Sequence, residues 1–254
     1  SEEAAFPKTV VFGGRGRLGQ VLARHWPQSW PILWTSRHAT TDASWGTSWA
    51  QCDPLEDPAQ VSHILEQADV AVSLAGAAPG GMLTTVTGPA ATQALEAHVA
   101  LAETLAHAAK HADIPLLLAS SAAVYGAAGS DIPFAEDSPL PPNAAAYGHA
   151  KRRMEAAAHA APGAVTCHRI GNVAGCDALL GPKRSADTGA SLAPRLHIFA
   201  NGKGPERSYI GPESFARVLA SLTMAAHLDT APPLPPVLNL ALSGWLDMAD
   251  LLRA

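Results

Sequence analysis

Tyr147 and Lys151 stand four residues apart in an alanine-rich stretch of helical spacing, residues 144–161, that is stopped by Pro162-Gly163. At i and i+4 both side chains project from one helix face. A lysine close to a phenol favours the phenolate and lowers its pKa. The phenol then passes a proton to or from a substrate oxygen near neutral pH. A serine hydroxyl can hold that same oxygen, and Ser121 stands at the end of an apolar run, residues 114–119, that reads as a strand running into Ser120-Ser121. Tyrosine and lysine at this spacing also occur by chance, so the pair acquires meaning only from its surroundings.

A second constellation lies near the N-terminus, where Gly13, Gly14, Gly16 and Gly19 follow an apolar run at residues 9–12. Residues 20–26 then carry apolar positions at helical spacing. Strand, glycine turn and helix are the setting of a dinucleotide fingerprint, here spaced G-x-x-G-x-x-G. Gly13 permits the tight turn, Gly16 admits a pyrophosphate close to the backbone, and Gly19 lets the helix pack on the strand. Arg17 and Leu18 fall in the first helical turn, whose free N–H groups face the phosphates. No Gly-Lys-Ser/Thr is present, which argues against a Walker-type loop. Residues 31–35 read as a second strand, and Arg37 follows it roughly 20 residues beyond Gly19, where the ribose is read. No Asp or Glu occurs between Gly13 and Asp42. An acid would accept from a ribose hydroxyl and an arginine accommodates a 2′-phosphate, so NADP is favoured, with NAD as the alternative.

These groups need a frame. Strand-like runs alternate with helical ones: residues 45–49 approach a third strand closed by Gln51 to Pro54, 58–67 are helical, 68–76 are a turn and a buried strand, and 90–111 form a long helix. This alternation predicts a Rossmann-type, doubly wound parallel sheet with ligands outside the carboxyl ends of its strands. Gly13, Arg37, Asp53, Gly76 and Ser121 all fall at such ends. Hydrophobic residues make up 48% of the 254 and charged ones 15%, which supplies a core and excludes disorder. A net charge of −5 argues against nucleic acid as the main partner. Charge or proline interrupts every apolar run short of a membrane span. An acidic N-terminus and three cysteines without metal spacing predict a cytoplasmic protein with reduced thiols and no metal. His98, His107 and His111 on the long helix read as solvated or partly buried.

In order, Gly13-Gly14-x-Gly16-x-Leu18-Gly19, Ser120-Ser121-Ala122-Ala123-Val124-Tyr125-Gly126 and Tyr147-Gly148-His149-Ala150-Lys151 resemble the extended short-chain dehydrogenase/reductases. Within them the chain is most similar to the NAD(P)-dependent epimerase/dehydratase family. Arg169-Ile170-Gly171-Asn172-Val173-Ala174-Gly175 is similar to its Arg-x-x-Asn-x-x-Gly strand end. Arg207-Ser208-Tyr209-Ile210 resembles a segment that precedes a helix, here about 212–227, and Leu238-Asn239-Leu240-Ala241 resembles a late strand. The resemblance implies Tyr147 as general acid/base, Lys151 on the nicotinamide ribose, and Ser121 as the catalytic hydroxyl. It implies Asn172 and Arg207 on the substrate, Asp53 on the adenine, and Leu74, Ala75 and Gly76 along the pyrophosphate and ribose. It also implies a dinucleotide-binding domain at residues 1–173, a small and partly interleaved substrate-binding portion at 174–254, and a homodimer through long helices.

The chain departs from the family in places. His98 stands for its usual Asn in the long helix, and Ala122-Ala123 replaces the Thr-Asp-Glu run of 4,6-dehydratase members. Residues 174–254 are short for gripping a full sugar nucleotide, and the last residues read as a helix without a cap, so a native tail is expected beyond them. Lys183 and Arg184 lie in a loop, solvated or facing an anionic group. The expectation is hydride transfer at a hydroxyl or keto carbon of a sugar-like or other small substrate. Two alternatives stay open: epimerisation with transient cofactor reduction, and an NADP-sensing protein without chemistry.

Overall fold

A computed structural model describes residues 6–38, 48–76, 88–126, 133–176, 198–228 and 232–253. Asp42, Trp45, Lys183 and Arg184 lie outside the described residues. Strand β1 (Thr9–Phe12) leads through the glycine turn into α1 (Arg17–His25), and β2 (Ile32–Ser36), β3 (Trp49–Gln51) and α2 (Pro58–Leu65) follow. Then come β4 (Val70–Ser73), α3 (Pro89–Ala112), β5 (Leu116–Ser121), a 3-10 turn (Ala122–Tyr125), α4 (Ala146–Ala160) and β6 (Val165–Ile170). Short strands β7 (Asn172–Val173), β8 (Glu206–Arg207) and β9 (Tyr209–Ile210) precede α5 (Pro212–His227), β10 (Val237–Leu240), β11 (Leu246–Asp247) and α6 (Met248–Arg253).

Seven strands form one sheet in the order β10-β6-β5-β4-β1-β2-β3, with every pairing parallel. Strand order reverses between β1 and β4, which is where such a sheet opens a crevice for ligands. Alternation along each strand supplies both faces. Val10 and Phe12 join Leu65, Leu105 and Met154 under α2, α3 and α4, whereas Val11 joins Leu22, Phe215 and Leu219 under α1 and α5. The predicted doubly wound sheet is thus the observed one. The third strand lies at Trp49–Gln51, just after the predicted approach, because register with β2 sets Trp49 opposite Trp34. Residues past 173 add β10 to the main sheet and α5 to one of its faces, pair β11 with β8, and supply β9 as the partner of β7. Such interleaving leaves the carboxyl ends of β4, β5 and β6 beside the segments that follow β6.

Candidate active site at the carboxyl ends of the strands

Three consecutive residues at the end of β5 meet three successive turns of α4. The Ser121 hydroxyl faces the Tyr147 phenol and favours its ionised form. Lys151 Nζ donates to the Ala119 carbonyl at 3.0 Å, and Ser120 Oγ donates to Glu155 Oε1 at 2.5 Å. Tyr147, Lys151 and Glu155 are each one turn apart, so one face of α4 carries all three. Two further contacts seat the helix. A Cβ on Gly148 would lie 2.3 Å from the Ala123 carbonyl oxygen, so only glycine lets α4 approach the 3-10 turn this closely. Arg152 Nε donates to the Val124 carbonyl at 2.8 Å. Ser121 in turn caps the 3-10 turn by accepting from the Ala123 N–H at 3.1 Å, which fixes its oxygen.

The electrostatics differ from the sequence expectation. Burial pushes the Tyr147 phenol up to about 12, and the Ser121 hydroxyl beside it offsets only part of this. Lys151 Nζ lies 5.7 Å from the centre of the Tyr147 ring but is turned onto a backbone carbonyl. Its own pKa falls to about 8, because burial disfavours the ammonium, with Cys167 and Glu155 opposing the fall. Proximity of the lysine is as expected, yet desolvation outweighs it. The phenol is therefore protonated at neutral pH.

Around the first crevice Gly13 takes φ +85°, and a Cβ there would sit 2.6 Å from the Ala75 nitrogen, so the glycine turn rests on the exit of β4. A Cβ on Gly19 would meet the Gly13 carbonyl oxygen at 2.4 Å, which explains the close seat of α1. Gly16 starts the helix, and among the described residues a Cβ there would meet only the Gly13 oxygen, at 3.3 Å, leaving this face of the turn open. Leu18 is half-buried behind the turn, and Leu74 is buried at the exit of β4. Arg17 at the helix start donates to the Cys176 carbonyl at 3.2 Å, which links the phosphate side to the segment after β7. Gly76, at φ +137°, lies over His98, whose ring carbon would be 2.3 Å from a Cβ at position 76. The His98 ring packs edge-on against Tyr147 at 5.8 Å. His98 is thus buried between the β4 exit and the Tyr147 phenol, while His107 and His111 are exposed.

Arg37 is exposed just past β2, and Asp53 follows β3 with its carboxylate accepting from the Leu55 N–H at 3.1 Å. Asn172 and Arg207 lie on the small strand pairs after β6, joined through Ser208, whose carbonyl accepts from the Asn172 N–H at 3.0 Å. Among the described residues neither side chain bonds to Ser121, Tyr147 or Lys151, and Arg207 is turned onto the Glu206 carbonyl at 2.8 Å. No described group of three or more His, Cys, Asp or Glu side chains could hold a metal.

Sequence reasoning missed the buried network below the reacting groups. Arg169 grips Glu155 with Nε to Oε1 at 3.0 Å and Nη2 to Oε2 at 2.8 Å, and donates to the Tyr125 hydroxyl at 3.0 Å. Tyr125 donates to Asn239 Oδ1 at 2.5 Å and stacks on Phe134 at 4.8 Å. Glu155 was findable as the third member of the Tyr147, Lys151 series at four-residue spacing. Its partner on β6 was not.

With strands, glycine turn and Ser-Tyr-Lys cluster in this arrangement, the comparison with known proteins is direct. Residues 9–206 match the NAD dependent epimerase/dehydratase family, and the chain belongs to it. It is accordingly an enzyme of the extended short-chain dehydrogenase/reductase type. Among solved structures, MoeE5 in complex with UDP-glucuronic acid and NAD is similar with a TM-score of 0.73 and 20% identity, over 97% of this chain and 80% of that one. WbmG of Bordetella bronchiseptica, in complex with NAD, is similar with a TM-score of 0.70 and 19% identity, over 99% and 78%. A UDP-N-acetylglucosamine 4-epimerase from Methanobrevibacter ruminantium M1 gives a TM-score of 0.70 and 18% identity, over 98% and 81%. At such identities the likeness is one of fold. No curated protein matches the chain by sequence. No described helix is long and apolar enough to cross a membrane.

Proposed function

We propose that the protein transfers hydride between a nicotinamide dinucleotide and a hydroxyl or keto carbon of a sugar-like substrate, with Tyr147 moving the proton on the substrate oxygen. The observation that carries this reading is the convergence of Ser121, Tyr147 and Lys151 at the end of β5, beside the crevice between β1 and β4. The cradle fits a dinucleotide: Gly13, Gly16 and Gly19 remove side chains where a pyrophosphate approaches, and Arg17, Leu18 and Gly19 present N–H groups at a helix start. Leu74, Ala75 and Gly76 line the next stretch, with Asp53 toward the adenine and Lys151 toward the nicotinamide ribose. The bound dinucleotide supplies the hydride acceptor and donor.

The chain's own residues supply the rest. As folded, Tyr147 is a phenol, so it donates its proton to a carbonyl oxygen that Ser121 holds by a second hydrogen bond. Lys151 is the cation available to favour the reverse transfer. Ala122 and Ala123 offer no acid or base beside Ser121, which supports redox or epimerising turnover over dehydration. Asn172, at the end of the dinucleotide-binding domain at 1–173, and Arg207, in a substrate-binding portion at 174–254 that shares α5 and β10 with that domain, are the proposed substrate contacts. NADP is the preferred cofactor in this reading because Arg37 follows β2, whereas the WbmG and MoeE5 structures hold NAD. Free thiols at Cys52 and Cys167 support a reducing, cytoplasmic setting, and a homodimer rests on the family resemblance alone.

The test is Tyr147→Phe in a screen of nucleotide sugars and smaller carbonyl compounds with both cofactors. Turnover should fall by roughly 10²–10⁴-fold while dinucleotide affinity holds. A fully active Tyr147→Phe enzyme would remove the assignment.

A further inference from the structure

The Glu155 carboxylate is only 6% exposed, yet nothing in the reaction above uses it. Oε1 accepts from Ser120 Oγ and from Arg169 Nε, and Oε2 accepts from Arg169 Nη2. Ser120 immediately precedes Ser121, and Arg169 stands three residues before Asn172. One turn earlier on α4, Lys151 bonds the carbonyl of Ala119, the neighbour of Ser120. The carboxylate thus grips the residue next to Ser121 on β5 and a residue of β6 shortly before Asn172.

We propose that Glu155 is a positioning residue: it fastens α4 to β5 and β6 beneath the reacting groups, and its negative charge keeps the Lys151 side chain an ammonium. The inference rests on the reading that Lys151 holds the nicotinamide ribose. A plain fastening needs no net charge near Lys151, so the two roles are separable. The charged and titratable groups around Lys151 are few. On α4 they are Tyr147, a neutral phenol, and Glu155; β5 presents only Ala119 and Ser120; β6 presents Cys167, His168 and Arg169. From α3, His98 packs on the Tyr147 ring. Burial opposes the Lys151 charge, and Cys167 and Glu155 support it. The Cys167 thiol is itself pushed up to about 12 by burial, so it is uncharged over the range in which Lys151 titrates. That leaves Glu155 as the anion. His168 is neutral, and Arg169 is the ion-pair partner of Glu155. An ammonium makes charge-assisted bonds to ribose hydroxyls that an amine does not.

The experiment measures NAD and NADP affinity by titration across the range in which lysine loses its proton, with thermal melting to follow the fold. In the wild type, affinity should fall as pH rises through about 8, and Lys151→Met should remove that limb. Glu155→Gln should move the limb down by about one pH unit, weakening binding roughly fivefold at its wild-type midpoint and about tenfold well above it. The double variant Glu155→Gln/Arg169→Met relieves the unpaired arginine, so its melting temperature should recover toward wild type while the limb stays shifted. A wild-type midpoint in folded Glu155→Gln, or its return in the double variant, overturns the proposal and leaves a structural ion pair. Should Glu155→Gln not fold, the double variant decides by itself. A wild-type protein that binds neither dinucleotide overturns the functional reading, and this inference with it, before any variant is compared.

Discussion

Arg37 projects into solvent one residue past β2, and its carbonyl is held by Gln51 Nε2 at 3.1 Å. Backbone tethering combined with an exposed side chain suits a group proposed to meet a phosphate. Guanidinium and phosphate form charge-assisted, often bidentate bonds. Arg37→Ala should therefore shrink the preference for NADP over NAD by about tenfold, or ~1.4 kcal/mol, in parallel binding titrations. Equal wild-type affinity for both dinucleotides would reject the residue's role. Tyr147 shows the same scale from the other side. Its neighbour Lys151 was visible in the sequence as a spacing, but the sign of the phenol's shift was not, because it depends on how much water each group loses.

At the scale of elements, the geometry of the proposed site is the docking of α4 on β5 and the 3-10 turn. Gly148 is the point of closest approach, its missing Cβ standing 2.3 Å from the Ala123 oxygen. In an open helix, glycine to alanine gains about 1 kcal/mol from backbone entropy. Here the added carbon must push α4 away from a backbone atom, and Tyr147 moves with it. Gly148→Ala should lower the melting temperature, and should reduce turnover by more than it reduces dinucleotide affinity, since the glycine turn at Gly13 to Gly19 is left untouched. Melting curves beside kcat and cofactor titrations check this. An unchanged kcat would show that α4 has slack at its first turn.

For the whole molecule, the clearest linkage is His168, fully buried on β6, with neither ring nitrogen hydrogen-bonded among the described residues. Burial, aided by the Lys151 charge, lowers its pKa from 6.5 to about 3. Below pH 6.5 the unfolded chain takes up a proton that the folded chain refuses, so stability rises with pH there. The contribution is whole above the unfolded pKa of 6.5 and is lost as pH falls toward 3. It amounts to a few kcal/mol, on the order of the pKa difference converted to free energy. His168→Leu, close in volume and without the unpaired nitrogens, should flatten the acid side of the stability curve in urea melts. An unchanged slope would mean that water or a rearranged partner satisfies the ring.

Much of this protein was legible from local pattern. Alternation of apolar runs with helical stretches required a parallel sheet, the glycines after residues 9–12 required a turn with no room for side chains, and Tyr147 with Lys151 required a shared helix face. Each of these follows from steric rules acting over a few residues. Tertiary structure alone decided the rest: that Arg169 finds Glu155, that His98 is enclosed between Gly76 and Tyr147 instead of lying in solvent, and that the phenol is raised and the ammonium lowered. Those outcomes depend on which distant segments exclude water from a side chain, and desolvation is a property of the assembled neighbourhood that no spacing along the chain encodes.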